Sequence, residues 1–105
     1  MKLSVFERLI LLNILPMEGD FLTIKIVHDL RTELAFTEEE HAALKFETLD
    51  TGDVRWVTGA DKPKDISIGE VAMGIIRQRL TELDKEKKLT EQHIPIYEKF
   101  VLGGA

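Results

Sequence analysis

The sequence predicts an α+β domain that is mainly helical, with five helices and one central β-hairpin. Apolar residues recur at helical spacing in several stretches, and a turn at Gly52 separates two short alternating segments. The 105 residues are enough for one hydrophobic core and not for two. We therefore expect a single globular domain over 1–105, with residues 102–105 frayed. The order of short helix and hairpin also fits a winged-helix arrangement.

The first two helices are predicted at residues 3–15 and 21–34. Residues 3–15 are apolar with few polar breaks, and Pro16 ends this helix because proline pushes the preceding residue out of the α region. Residues 21–34 place leucine or isoleucine at every fourth position, which favours a helix. The β-branched run at 23–27 could instead alternate as a strand. Because charged residues interrupt the apolar start, we interpret it as a retained helix and not as a signal peptide.

A short helix followed by the hairpin is predicted in the middle of the chain. Thr37 and Glu40 have capping-box spacing, in which the Thr37 hydroxyl accepts from the Glu40 amide and the Glu40 carboxylate accepts from the Thr37 amide. This box begins a helix at 38–44. The hairpin follows at 45–58, with Gly52 in the left-handed position of its turn.

The last two helices are predicted to pack against each other as a helical hairpin. Ser67 and Glu70 form a second candidate capping box, which begins a helix that extends to about Lys87. The final helix begins near Thr90, and its expected apolar face is Ile94, Tyr97, Phe100 and Val101. The predicted core comprises apolar residues from four helices: Phe6, Leu9, Leu12, Leu22, Ile26, Leu30, Ile76, Leu80, Leu83, Tyr97 and Phe100.

Residues 13–23, 36–41 and 88–100 together resemble a family of small proteins encoded by tailed bacteriophages and prophages. The shared features are a leucine-rich start ending in Leu-Pro, a tryptophan after the central turn, here Trp56, and the closing motif Leu-Thr-x-x-His-x-x-x-Tyr-x-Lys-Phe. The family has no assigned activity, so the resemblance implies no functional residues. It implies a viral protein that acts in the cytoplasm of a bacterial host or is packaged in a virion.

Acidic residues are concentrated in one segment of the chain. The net charge is −5, and residues 18–53 alone hold ten acids against three bases. Direct nucleic-acid binding is not expected, because phosphate contacts require a basic footprint. The segment is either a solvated face or a patch that steers a basic host or phage protein. The candidate partner-binding residues are Glu38, Glu39, Glu40, Asp50, Asp53 and Trp56.

Four of these candidates carry further expectations. Replacing the glutamates 38–40 should slow association with a basic partner and barely change stability, because surface charges contribute little to folding. Trp56 either packs against a helix with its hairpin neighbours or stays exposed as an anchor for a partner.

No catalytic residue, metal site or cofactor is predicted. The absence of cysteine excludes thiol catalysis and thiolate metal sites. The histidines His28, His41 and His93 lie far apart and lack the His-Glu-x-x-His spacing of a zinc helix. No apolar run approaches the ~20 residues of a membrane span.

The expected function is therefore that of a non-enzymatic phage accessory protein, a monomer or small homo-oligomer in the host cytoplasm. A winged-helix-like transcription regulator and a virion or assembly component are the alternatives.

Overall fold

A computed structural model describes residues 1–103, in which five α-helices accompany two small antiparallel sheets. The helices are α1 (Val5–Ile14), α2 (Phe21–Leu34), α3 (Glu38–Leu44), α4 (Glu70–Lys85) and α5 (Ile94–Tyr97). The strands are β1 (Lys2–Leu3), β2 (Glu47–Thr48), β3 (Val54–Arg55) and β4 (Lys64–Asp65). The predicted α+β, mainly helical class is confirmed.

The closing segment continues beyond α5 as one wide helical turn at Glu98–Leu102. Leu102, which was expected to fray, belongs to this turn, and residues 104–105 lie outside the described residues. The described chain contains no helix that is both long and apolar enough to cross a membrane.

Side-chain caps begin α1 and α3. Thr37 and Glu40 form the predicted capping box, with oxygen–nitrogen distances of 3.1 and 3.0 Å. Ser4 and Glu7 form another capping box, which was not predicted, and α1 therefore begins only at Val5.

The predicted capping box at Ser67 is wrong. Helix α4 begins after its N-cap residue Gly69, so no side chain caps this helix, and Ser67 is exposed. The reason lies just before it, where Ile66 is fully buried and its backbone N–H donates to the Met1 carbonyl at 2.8 Å. These contacts keep the chain extended as far as Gly69.

The sheet formed by β1 and β4 was not predicted. Lys2 pairs with Asp65 and Leu3 with Lys64, so Leu3, the first residue of the predicted helix, lies in a strand. The terminal ammonium of Met1 reinforces this pairing by donating to Asp65 Oδ1 at 2.8 Å.

Helix α4 is the centre of the core and packs against α1, α2 and the closing segment. Two of its arginines bind carbonyl groups at the ends of neighbouring segments: Arg79 Nε donates to Ile14 O at 2.9 Å, and Arg77 Nε donates to Phe100 O at 2.8 Å. The predicted helical hairpin of α4 and the closing segment is present, and the hydrogen bond from Arg77 to Phe100 O supports its apolar contacts.

The core agrees with the prediction along α4 and differs elsewhere. Leu30, the α4 residues Ile76, Leu80 and Leu83, and Phe100 are buried as expected; Phe6, Leu9, Leu12, Ile26 and Tyr97 are half-buried. Leu22 was expected in the core but is 66 % exposed. In the last helix Ile96 is fully buried and Ile94 is exposed, because the helix begins only at Ile94, after the Glu91–His93 turn, and its phase differs from the predicted one.

Candidate functional site

The exposed candidates lie in two places around α3 and the hairpin. Glu38 and Glu39 occupy the first turn of α3 with their side chains in solvent. Asp50 and Asp53 lie at the tip of the β2–β3 hairpin, whose turn is closed by a hydrogen bond from Leu49 N to Asp53 O at 2.7 Å. None of these four carboxylates forms an ion pair with a residue in the range 1–103.

Glu40 differs from its two neighbours because it binds a buried arginine. Arg8 Nη1 donates to Glu40 Oε2 at 2.6 Å, and Nη2 donates to Oε1 at 3.3 Å. The Glu40 side chain is 26 % exposed, whereas that of Arg8 is completely buried. The sequence predicts Glu40 to be a surface glutamate like Glu38 and Glu39. In the structure Glu40 instead stabilises the fold through its ion pair with Arg8.

Arg8 also binds the end of α2. Its Nε donates to Leu34 O at 3.1 Å and its Nη2 to Ala35 O at 2.7 Å, which satisfies carbonyls that a helix end leaves free. The guanidinium carbon lies 3.9 Å from the centre of the Phe36 ring, in a cation–π contact. One arginine therefore joins α1 to the end of α2 and the start of α3.

The pKa of the Glu40 carboxyl is lowered from an ordinary 4.5 to about 2, and the hydrogen bond from Arg8 is the largest cause. Partial burial raises this pKa, whereas the hydrogen bond from the Thr37 amide and the positive charges of Arg8 and Lys64 contribute to lowering it. The Lys64 ammonium lies 3.6 Å from Glu40 Oε1. Glu40 is therefore ionised throughout the physiological range and its charge is neutralised locally.

Four aromatic rings form a cluster that joins α3 to the base of the hairpin. The Phe36 and Phe46 centroids are 5.0 Å apart, His41 lies 5.5 Å from Phe46, and Trp56 lies 6.1 Å from Phe46. Phe36, Phe46 and Trp56 are half-buried, and His41 is exposed. The cluster lies outside the main core, so its outer edges face solvent.

Trp56 is half-buried, which lies between the packed and the exposed alternatives predicted from the sequence. Its ring packs against Phe46, and Nε1 donates to Asp61 Oδ2 at 3.4 Å. Asp61 in turn accepts the Val5 amide at 3.1 Å. The contacts with Phe46 and Asp61 therefore orient Trp56, while part of its ring remains accessible.

We call this region the aromatic–acidic surface and define it as Phe36, Glu38, Glu39, His41, Phe46, Asp50, Asp53 and Trp56. Sequence reasoning found its acids and Trp56 but missed the aromatic cluster and its support by Arg8. The sequence did contain one signal for this support, because Arg8 lies within an apolar helical run. An arginine in such a run is almost never fully buried without a partner.

Within residues 1–103, no three His, Asp or Glu side chains form a group suited to a metal ion. The chain matches no family model, no curated protein and no solved structure.

Proposed function

We propose that this protein is a non-enzymatic accessory protein of bacteriophage type, which binds a basic surface on a host or phage protein in the bacterial cytoplasm. The observation that supports this most directly is the aromatic–acidic surface, where half-buried aromatic rings cluster between α3 and the hairpin, two elements that carry exposed carboxylates. Protein interfaces use this combination, because buried aromatic anchors carry much of the binding energy and charges set orientation and encounter rate.

Trp56 is the proposed anchor of the interface. Its contact with Phe46 and its hydrogen bond to Asp61 fix the ring before a partner arrives. A ring fixed in advance loses little conformational entropy on binding. We therefore expect Trp56→Ala to weaken partner binding by about 2 kcal/mol or more, as for other tryptophan hot spots.

The carboxylates around the cluster are the proposed steering charges. Glu38, Glu39 and Asp50 are exposed and free of ion pairs with described residues, so a partner's lysine or arginine can approach them without displacing an internal cation. Glu47 is different, because Arg55 Nη2 already lies 2.9 Å from its Oε2. Uncompensated charges of one sign accelerate the approach of an oppositely charged surface.

Capture from a lysate of phage-infected bacteria tests the proposal when matched variants are compared. The surface variant combines Glu38→Gln, Glu39→Gln and Asp50→Asn, and Trp56→Ala is tested separately. The control variant, Glu18→Gln with Glu91→Gln and Glu98→Gln, removes three exposed charges outside the aromatic–acidic surface. A basic partner retained by wild type and control but lost by the surface variant and by Trp56→Ala supports the proposal. Equal retention by all four proteins contradicts it.

The winged-helix alternative rests on the order of the short helix α3 followed by the hairpin. In the structure β1 pairs with β4 and not with the hairpin, and α3 begins with exposed glutamates that repel phosphate. A sequence-specific gel shift at ~150 mM salt would favour this alternative. Presence of the protein in purified phage particles would favour the virion or assembly alternative.

A further inference from the structure

A groove between α2 and α4 is a second surface that shares no residue with the aromatic–acidic surface. It has a volume of about 400 Å³ and lies where the second half of α2 faces the start of α4. Its floor is apolar and is formed by Ile26, Leu30 and Ala72, and Val71 lines its open side. Leu30 and Ala72 belong to the main core, so the floor is rigid.

The apolar character continues to the open side of the groove. Val71, on the α4 side, is 61 % exposed. Leu22 lies one helical turn before Ile26 on the same face of α2 and is 66 % exposed. We call the floor together with Val71 and Leu22 the apolar strip; Leu22 lies one turn beyond the lining residues of the groove itself. Such a grouping differs from the scattered single apolar residues of an ordinary surface.

The rim of the groove is acidic on both sides. Asp29 and Glu33 line it from α2, Glu70 lines it from α4, and no lysine or arginine is among its lining residues. Lys25 lies 3.1 Å from Asp29 and compensates that charge. Glu33 and Glu70 have no ion-pair partner within residues 1–103.

We infer that this groove docks a basic amphipathic helix of a partner protein. An amphipathic helix lays its apolar face into an apolar groove, and here lysine or arginine at the edges of that face would meet Glu33 and Glu70. The strip from Leu22 to Glu33 is about 16 Å long, which matches three turns of such a helix. This inference goes beyond the proposed function, because it concerns a different surface and a different partner geometry.

The probe for this inference is a synthetic peptide of leucine and lysine, about 14 residues long, with its leucines on one helical face. The control peptide has the same composition in an order that gives no apolar face. Fluorescence anisotropy of the labelled peptides at ~150 mM salt measures their Kd for the full chain. We expect the amphipathic peptide to bind at least about tenfold more tightly, because only it can bury its leucines together.

Groove variants locate the binding. Val71→Asp places a charge on the apolar strip and should weaken peptide binding by more than about tenfold. Glu33→Gln with Glu70→Gln should weaken it by about threefold to tenfold, because two exposed charges are lost. The matched control is Glu18→Gln with Glu91→Gln, which removes two exposed charges outside both surfaces and should leave Kd unchanged.

Three results would overturn the inference. They are equal affinity for the two peptides, equal weakening by the control variant, and a dimer that Val71→Asp dissociates, which would assign the groove to a second copy. Peptide binding in the groove should leave the Trp56 emission unchanged. If the peptide fails while a lysate partner remains sensitive to Trp56→Ala, the groove inference falls and the proposed function stands.

Discussion

Replacing Arg8 with methionine tests the interaction that joins α1, α2 and α3. The arginine is completely buried and donates to Leu34 O, Ala35 O and both carboxylate oxygens of Glu40. Methionine fills much of the same volume but has no donor. Two carbonyls therefore lose the Arg8 donor, and Glu40 is left with the Thr37 amide and the Lys64 ammonium. Removing one member of a buried ion pair costs about 3–5 kcal/mol. Water can reach the quarter-exposed Glu40, so we expect about 3 kcal/mol.

Urea unfolding followed by far-UV circular dichroism measures this loss. Against a total stability of about 5–15 kcal/mol, the change should move the urea midpoint down by about 1–3 M. The matched control is Arg55→Met, which breaks an exposed pair with Glu47 and should cost less than about 1 kcal/mol. If Arg8→Met costs no more than Arg55→Met, the Arg8 contacts do not hold the helices together and our reasoning is refuted.

The remaining predictions concern a carboxylate, a core leucine and the tryptophan. Glu40→Gln should cost about 1–2 kcal/mol at neutral pH, since the glutamine oxygen can still accept from Arg8. In urea titrations over a pH series this difference should shrink from about pH 5 to pH 2, because a carboxyl whose pKa is lowered to about 2 stabilises the fold only while it is ionised. Leu80→Ala should cost about 2–5 kcal/mol in denaturant, and a loss under ~1 kcal/mol would mean that α4 is not the core helix. Trp56 emission should be blue-shifted and only partly quenched by iodide; emission like that of free indole would contradict its packing on Phe46.

Local signals predicted the helices best. The prediction for α2 matches its bounds, because Pro16 ends α1 and the Asp20 side chain accepts from the Thr23 amide at the start of α2. The Thr37 capping box placed α3 correctly for the same reason. Each of these signals acts within a few residues and is visible in the sequence.

Long-range contacts account for the main errors. Pairing of Lys2 with Asp65 joins residues far apart in the chain, and no local pattern announces a two-residue strand. That pairing and the burial of Ile66 delayed the start of α4 and removed the cap expected at Ser67.

The candidate site was predicted in part for a related reason. Exposed acids such as Glu38 and Asp50 follow from composition and turn position, and the structure places both in solvent. Glu40 has the same local signals as Glu38 and Glu39 but meets Arg8, which lies 32 residues earlier. We therefore expect Glu40, unlike Glu38 and Glu39, to contribute to stability, contrary to the prediction made from the sequence for all three glutamates.

The association rate of the captured partner tests the binding role of the aromatic–acidic surface most directly. It is measured from ~0.05 to ~0.5 M salt for wild type, the surface variant at Glu38, Glu39 and Asp50, and the control variant, with Glu40 left intact. Our account predicts a rate that falls steeply with salt for wild type and control, and a slower, flatter dependence for the surface variant. All three proteins should agree in stability within about 1 kcal/mol. Equal rates and equal salt dependence for wild type and the surface variant would contradict it.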